Sequence, residues 1–271
     1  MSSKTKGKYM FFSWETDIMD KRGVDIKRGA ILMKQCACIT GADRGLGLEL
    51  AGQLLEHGYT VFAGRYNKEW TQLDELKEAY PDRLFAVELD VSEDASVKAA
   101  AEFISSRTDA LEMLINNSAI LGDIETDIFG RLDFDEMQRV FNVNTLGALR
   151  VTNGLLPLVT AGEKKLVLNI TSEAGSIGAC WRTSWFAYCM SKAALNMHSV
   201  IAHNSLKELG GQVVLIHPGW MKSWLSGQYQ EEAPLTPLVS ARHIMEIIRN
   251  SERYKGDKPA FLDYQGNGME W

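Results

Sequence analysis

From residue 35 onward the chain alternates short β-branched or apolar runs with longer amphipathic stretches, and that rhythm limits its fold more than any other feature. The runs are Cys36–Thr40, Thr60–Gly64, Leu84–Val87, Met113–Asn116, Leu166–Ile170, Val213–Ile216 and Ala260–Leu262. Between them lie helical patterns such as "LGLELAGQLLEHG", which stops on Gly58 as a natural helix end. Another is "SEDASVKAAAEFISSR", where Ser92 and Asp94 offer oxygen acceptors to the first turn. Strands that alternate with helices build βαβ units, hence a parallel sheet covered by helices on both faces. The expectation is a single doubly wound α/β domain over residues 33–271, with a central sheet of about seven parallel strands. No Pro/Gly/Ser linker and no internal repeat divides it. Residues 1–32 read as an appendage, either a flexible arm or a stretch ahead of a true start at Met33.

Composition removes several function classes. A net charge of -6 and a pI near 5.5 argue against a nucleic-acid surface, which usually needs a basic stripe. No apolar run approaches the roughly 20 residues of a membrane span, and the patch Met10–Trp14 is too short for a secretory signal. Cys36, Cys38, Cys180 and Cys189 show neither C-x-x-C nor zinc spacing, and the five histidines (His57, His198, His203, His217 and His243) are scattered, so no metal is expected. Cys36 and Cys38 share one face of a strand and are poorly placed to bridge. Unbridged thiols suit the cytoplasm.

The first strand runs into "TGADRGLG", residues 40–47. Gly41, Gly45 and Gly47 form a turn between strand and helix, where a backbone without side chains can approach a pyrophosphate at the helix N-terminus. The spacing is G-x-x-x-G-x-G, and the G-K-[ST] of a Walker loop is absent. A dinucleotide in a Rossmann fold follows. The second strand ends "VFAGRYN", with Arg65 where an NAD enzyme often carries an acidic residue for the ribose hydroxyl. Arg65, with Arg44 inside the turn, suits a 2′-phosphate, so NADP(H) is expected over NAD(H).

Two long helical patterns fill the second half, "FDEMQRVFNVNTLGALRVTNGLLPLV" and "SWFAYCMSKAALNMHSVIAHNSLKELG". The latter holds Tyr188 four residues before Lys192, on one helix face. Its small and apolar neighbours Ala187, Ala193, Ala194 and Leu195 place the pair in a partly buried region rather than on a wet surface.

The series "TGADRGLG", "LDV" at 89–91, "NNSA" at 116–119, "NVNTLG" at 142–147, "NITSEAG" at 169–175, "YCMSK" and "HPGW" at 217–220 resembles the short-chain dehydrogenase/reductases over residues 35–225. The ending "FLDYQGNGMEW" looks like the subgroup of sniffer-type carbonyl reductases and C-factor. The resemblance implies NADPH-dependent reduction of a ketone or aldehyde to an alcohol, or the reverse. Tyr188 would be the general acid/base and Lys192 would lower its pKa and hold the nicotinamide ribose. Ser172 would hydrogen-bond the substrate oxygen, with Ser176 as competitor, and Asn144 would anchor a water of the proton relay.

On the cofactor, the resemblance adds Leu46 to the glycine turn, sets Asp90 and Val91 beside the adenine, and sets Asn117, Ser118 and Ala119 along its path. Pro218, Gly219, Trp220 and Ser223 would hold the nicotinamide end. Ala119 replaces a usual glycine, and Ser223 a usual threonine. Ser172 stands 16 residues before Tyr188, a wider gap than common, which fits an insertion in "SIGACWRTSWF". Trp181, Trp185, Trp220 and Trp224 are candidates to line a pocket for an apolar carbonyl, and Arg182 and Lys222 could receive an acidic one. The resemblance also implies a homodimer or homotetramer paired through the long helices. A nucleotide-binding regulatory protein without turnover is the alternative, and the full Asn/Ser/Tyr/Lys set argues against it.

Overall fold

The computed structural model describes residues 35–271, so the appendage of residues 1–32 and the alternative start at Met33 lie outside the described residues. The strands are β1 (Cys36–Ile39), β2 (Thr60–Arg65), β3 (Leu84–Glu88), β4 (Met113–Asn116), β5 (Leu166–Ile170), β6 (Gln212–His217) and β7 (Ala260–Asp263). They form one seven-stranded sheet in the order β3-β2-β1-β4-β5-β6-β7, every pair parallel. The helices are α1 (Gly45–Glu56), α2 (Gln72–Ala79), α3 (Asp94–Ser105), α4 (Phe134–Phe141), α5 (Ala148–Ala161), α6 (Phe186–Leu206) and α7 (Pro237–Arg249).

Side chains alternate across a strand, so a sheet buried on both faces needs apolar residues at every position. Ala37, Ile39, Val61, Ala63, Met113, Ile115, Leu166 and Leu168 face a core shared with Leu50 and Leu54 of α1, Leu73 of α2 and Ile244 and Ile248 of α7. Cys36, Cys38, Phe62, Leu114 and Val167 face the opposite core, with Val97 and Ile104 of α3, Val151 and Leu155 of α5 and Leu206 of α6. The two strand cysteines thus share a face, as their spacing implies, and none of the four cysteines forms a disulfide. Among the described residues, no helix is long and apolar enough to cross a membrane.

Gly58 follows α1 with φ +87° and donates to the Leu55 carbonyl, the helix end its position predicts. The start of α3 differs from expectation. Glu93 occupies the N-cap position and no side chain caps the helix. Ser92 instead spends its hydroxyl and its N–H on Asp90 Oδ1, at 2.6 and 2.8 Å, and Asp94 pairs with Arg150 of α5. The strand-end carboxylate captures the residue that would have capped.

The first long helical pattern is also interrupted. A π-helical turn spans Asn142–Gly147 between α4 and α5. The wider turn shifts the side-chain phase and leaves Asn144 buried, 1% exposed. Its amide oxygen accepts from Ile120 N at 2.8 Å, and its Nδ2 donates to Ile120 O at 2.9 Å and to Ser191 Oγ of α6 at 3.0 Å.

Candidate active site

The chain leaves β1 toward β2 on one side, while β4 lies on the other. In an open parallel sheet this reversal opens a crevice at the carboxyl ends of the strands. The glycine turn lies there. Gly41 and Gly45 have φ of +63° and +57°, the left-handed region that favours glycine. The turn is braced by a residue that spacing alone did not single out. Thr40 Oγ1 accepts the N–H groups of Asn117 and Ser118, each at 3.0 Å, while Asn117 Nδ2 donates to the carbonyls of Thr40 and Gly41, also at 3.0 Å. Asn117 therefore spends both amide hydrogens locking the end of β4 to the turn. Leu46 and Gly47 are buried at the start of α1, whose first turn holds no acidic residue.

Both arginines of the expected phosphate site are held in place. The Arg44 guanidinium stacks 4.4 Å from the Trp70 ring centre. Arg65 pairs with Asp74 at 2.8 Å, and its buried Nε has no partner among the described residues. Asp90 follows β3 with its carboxylate tied to Ser92. Val91 is buried in the second core, and Ala119 is half-buried beyond β4.

Across the crevice, Ser172 lies two residues past the end of β5, and Tyr188 and Lys192 lie on one face of α6, both buried. Lys192 Nζ donates to the Ile170 carbonyl at 2.9 Å and lies 5.6 Å from the Tyr188 ring centre. Ser172 is near enough to Tyr188 to act on its phenol. Ser176 instead accepts from Ala179 N at 3.1 Å and shapes the loop. Asn144 joins the group through Ser191, whose hydroxyl donates to the Tyr188 carbonyl at 2.8 Å.

Electrostatics here differ from the expectation that Lys192 lowers the tyrosine pKa. Burial raises the Tyr188 phenol well above its ordinary value, and the Ser172 hydrogen bond opposes the rise without overcoming it. Burial also pulls Lys192 down from 10.5 to about 7. Between those two values the unfolded lysine binds a proton that the folded one does not, so stability rises with pH. The contribution is complete above the unfolded value, declines as pH falls toward 7, and is gone below it. The urea midpoint of the wild type should therefore climb from pH 7 to 9 relative to Lys192→Met. Parallel curves would mean that the folded lysine keeps its proton. Tyr188 acts in the opposite sense only above its ordinary value of 10.

The four tryptophans make different contacts. Trp185 packs edge-on to Tyr188, ring centres 6.1 Å apart, in a small cluster with Leu121, Ile124 and Leu225. Trp181 is exposed and stacks with Arg182. Trp224 lies against Trp70 and Tyr229, so it leans toward the Arg44 side of the crevice. Trp220 is exposed beside Pro218 and Gly219, and Gly219 holds φ +82° against Leu235 and Tyr264. Ser223 caps its own loop, accepting from Leu225 N and, through its carbonyl, from Gln230 N. Arg182 and Lys222 are both paired, with Glu173 at 2.6 Å and Glu231 at 2.5 Å.

Comparisons with known proteins agree with this geometry. The family model described as short chain dehydrogenase matches residues 35–234. The chain is 35% identical to C-signal of Myxococcus xanthus over 164 residues, 60% of this chain and 95% of that protein. An NADPH-bound carbonyl reductase from chicken fatty liver superposes with a TM-score of 0.77 at 29% identity, covering 89% of this chain and 95% of the other. The carbonyl reductase Sniffer of D. melanogaster gives a TM-score of 0.78 at 25% identity, over 88% of this chain and 99% of the other. With the sheet order, the glycine turn and these matches in agreement, the chain belongs to the short-chain dehydrogenase family of oxidoreductases.

Proposed function

We propose that the protein reduces an apolar ketone or aldehyde to an alcohol with NADPH, or runs the reverse reaction, with Tyr188 as general acid/base. The observation that carries this reading is the convergence of Ser172, Tyr188, Lys192 and Asn144 on one crevice, opposite the glycine turn. NADPH, when bound, supplies the hydride. The backbone around Gly41, Gly45 and Gly47 suits its pyrophosphate, and Arg44 and Arg65 suit the 2′-phosphate, the unpartnered Nε of Arg65 being a donor in need of an acceptor. Tyr188 gives its proton to the developing alkoxide oxygen, and Ser172 hydrogen-bonds that oxygen. Lys192, held at the Ile170 carbonyl, would also hold the nicotinamide ribose, and Asn144 would anchor the water through which the proton is replaced. Asp90, Val91, Ser118 and Ala119 would border the adenine and its path, while Pro218, Gly219, Trp220 and Ser223 would hold the nicotinamide end.

NADPH oxidation against a panel of aldehydes, ketones, quinones and keto acids tests the reading. Turnover of apolar carbonyls ahead of keto acids is expected, because Arg182 and Lys222 each already carry a carboxylate partner. Tight NADPH binding without turnover on any of them would leave a binding protein. Hydrogen bonds to charged groups are worth roughly 1.5–3 kcal/mol each, so Arg44→Ala and Arg65→Ala should each cut the preference for NADPH over NADH about tenfold or more. Unchanged preference in both would make them ordinary surface charges. The exposed apolar residues Leu146, Leu149, Met190, Met197 and Ile201 on and around α5 and α6 support a homodimer or homotetramer, and the unbridged thiols are in keeping with the cytoplasm.

A further inference from the structure

Ser172 is claimed from several sides. Its hydroxyl donates to Glu173 Oε2 at 2.9 Å and its oxygen accepts from Ala174 N at 3.1 Å. It also acts on the Tyr188 phenol, lowering its pKa against the effect of burial. A serine has one proton to give, so each moment that it points at Glu173 is lost to the reacting oxygen. The other carboxylate oxygen of Glu173 is held by Arg182 Nη2 at 2.6 Å. Arg182 is itself clamped, its guanidinium 4.9 Å from the Trp181 ring centre and 4.8 Å from that of Trp185, with its side chain only 10% exposed. Trp185, in turn, packs on Tyr188.

We propose that Glu173 and Arg182 are positioning residues that set where the proton of Ser172 points, the carboxylate drawing it from the reacting oxygen and the guanidinium limiting that draw. The inference rests on the catalytic reading of Ser172 and Tyr188 given above. Neither residue touches the reacting atoms, so both act through Ser172 and through charge. Glu173 and Cys189 push the phenol pKa further up, while Arg182 pulls it down. Lys192 lies behind the ring on the same helix. His217 at the end of β6 also faces this pair: its Nδ1 is buried without a partner among the described residues, and it feels Glu173, Arg182 and, from the end of β7, Asp263.

Opposite effects from the two substitutions are the signature. Glu173→Gln keeps an acceptor but removes the charge. In the reduction direction the basic limb of kcat should move down, with the plateau equal to or above that of the wild type. Arg182→Met should move that limb up and lower the plateau about tenfold, because Glu173 then holds the serine proton unopposed. Arg182→Lys should return the limb toward its wild-type position. NADPH affinity should change less than about twofold in all three. A merely structural loop would lower kcat in both variants and leave the limb in place, and that result would overturn the proposal.

A second measurement separates this inference from the catalytic reading. With 13Cζ-labelled tyrosine, the Tyr188 resonance, assigned by its loss in Tyr188→Phe, reports the hydrogen bonds of the phenol at neutral pH. It should move in opposite directions in Glu173→Gln and Arg182→Met. A wild type without turnover on any carbonyl sinks the catalytic reading alone, whereas an unmoved resonance in both variants sinks the positioning role.

Discussion

Replacing Tyr188 with phenylalanine is expected to lower kcat for NADPH-dependent carbonyl reduction by about 10²–10⁴-fold, the usual weight of a positioned general acid. The substitution removes one oxygen and little else. The ring is 6% exposed and keeps its edge-on contact with Trp185 and its packing on Leu121 and Ala174. Ser172 keeps its hydrogen bonds to Glu173 and Ala174, and burial already disfavours ionisation of the phenol, so folding does not depend on its charge. NADPH affinity and melting temperature should therefore stay close to wild type while turnover collapses. The pH dependence that belongs to the phenol should vanish with it. A phenylalanine variant that works at a near-normal rate would remove Tyr188 from the chemistry and move the proton to another donor in the crevice.

What could be read from the sequence follows from which interactions are periodic. Every strand begins and ends within one residue of its apolar run, because a parallel sheet buried on both faces needs unbroken apolar residues. The Tyr188–Lys192 pair was legible for the same kind of reason, since a helix fixes what lies four residues away. Legibility fails where the chain departs from a period. The π-helical turn that buries Asn144 looks like ordinary helix in a sequence. Glu173 and Arg182 are nine residues apart in an irregular loop, and no spacing rule joins them. The contact of Trp224 with Trp70 is not readable from spacing either, because tertiary contacts set the path of the β6–α7 connection. Spacing also gives proximity without dielectric. It put an ammonium near a phenol, but not the burial that lowers Lys192 and raises Tyr188.

Gly47→Ala should disable the cofactor end of the crevice as thoroughly as Tyr188→Phe disables its chemistry. A Cβ at Gly47 would collide with the Gly41 carbonyl oxygen and lie 2.6 Å from Asn117 Nδ2. The first is backbone in a turn already held at φ +63°, and the second is tied by hydrogen bonds to Thr40 and Gly41. Neither can swing aside, so the turn itself must move. Overpacking of this kind costs about 1–3 kcal/mol of stability. A displacement near 1 Å at a positioning element costs about 10²-fold in kcat/KM. Gly52→Ala in the same helix provides the control, since no atom lies within 4 Å of its added Cβ. That variant should be neutral or gain up to about 1 kcal/mol from helix propensity. NADPH titration and thermal melting of the two variants side by side separate the effects. Equal affinity in both would mean that the Gly41–Gly47 approach does not shape the cofactor site, and that the glycine turn owes its sequence to folding alone.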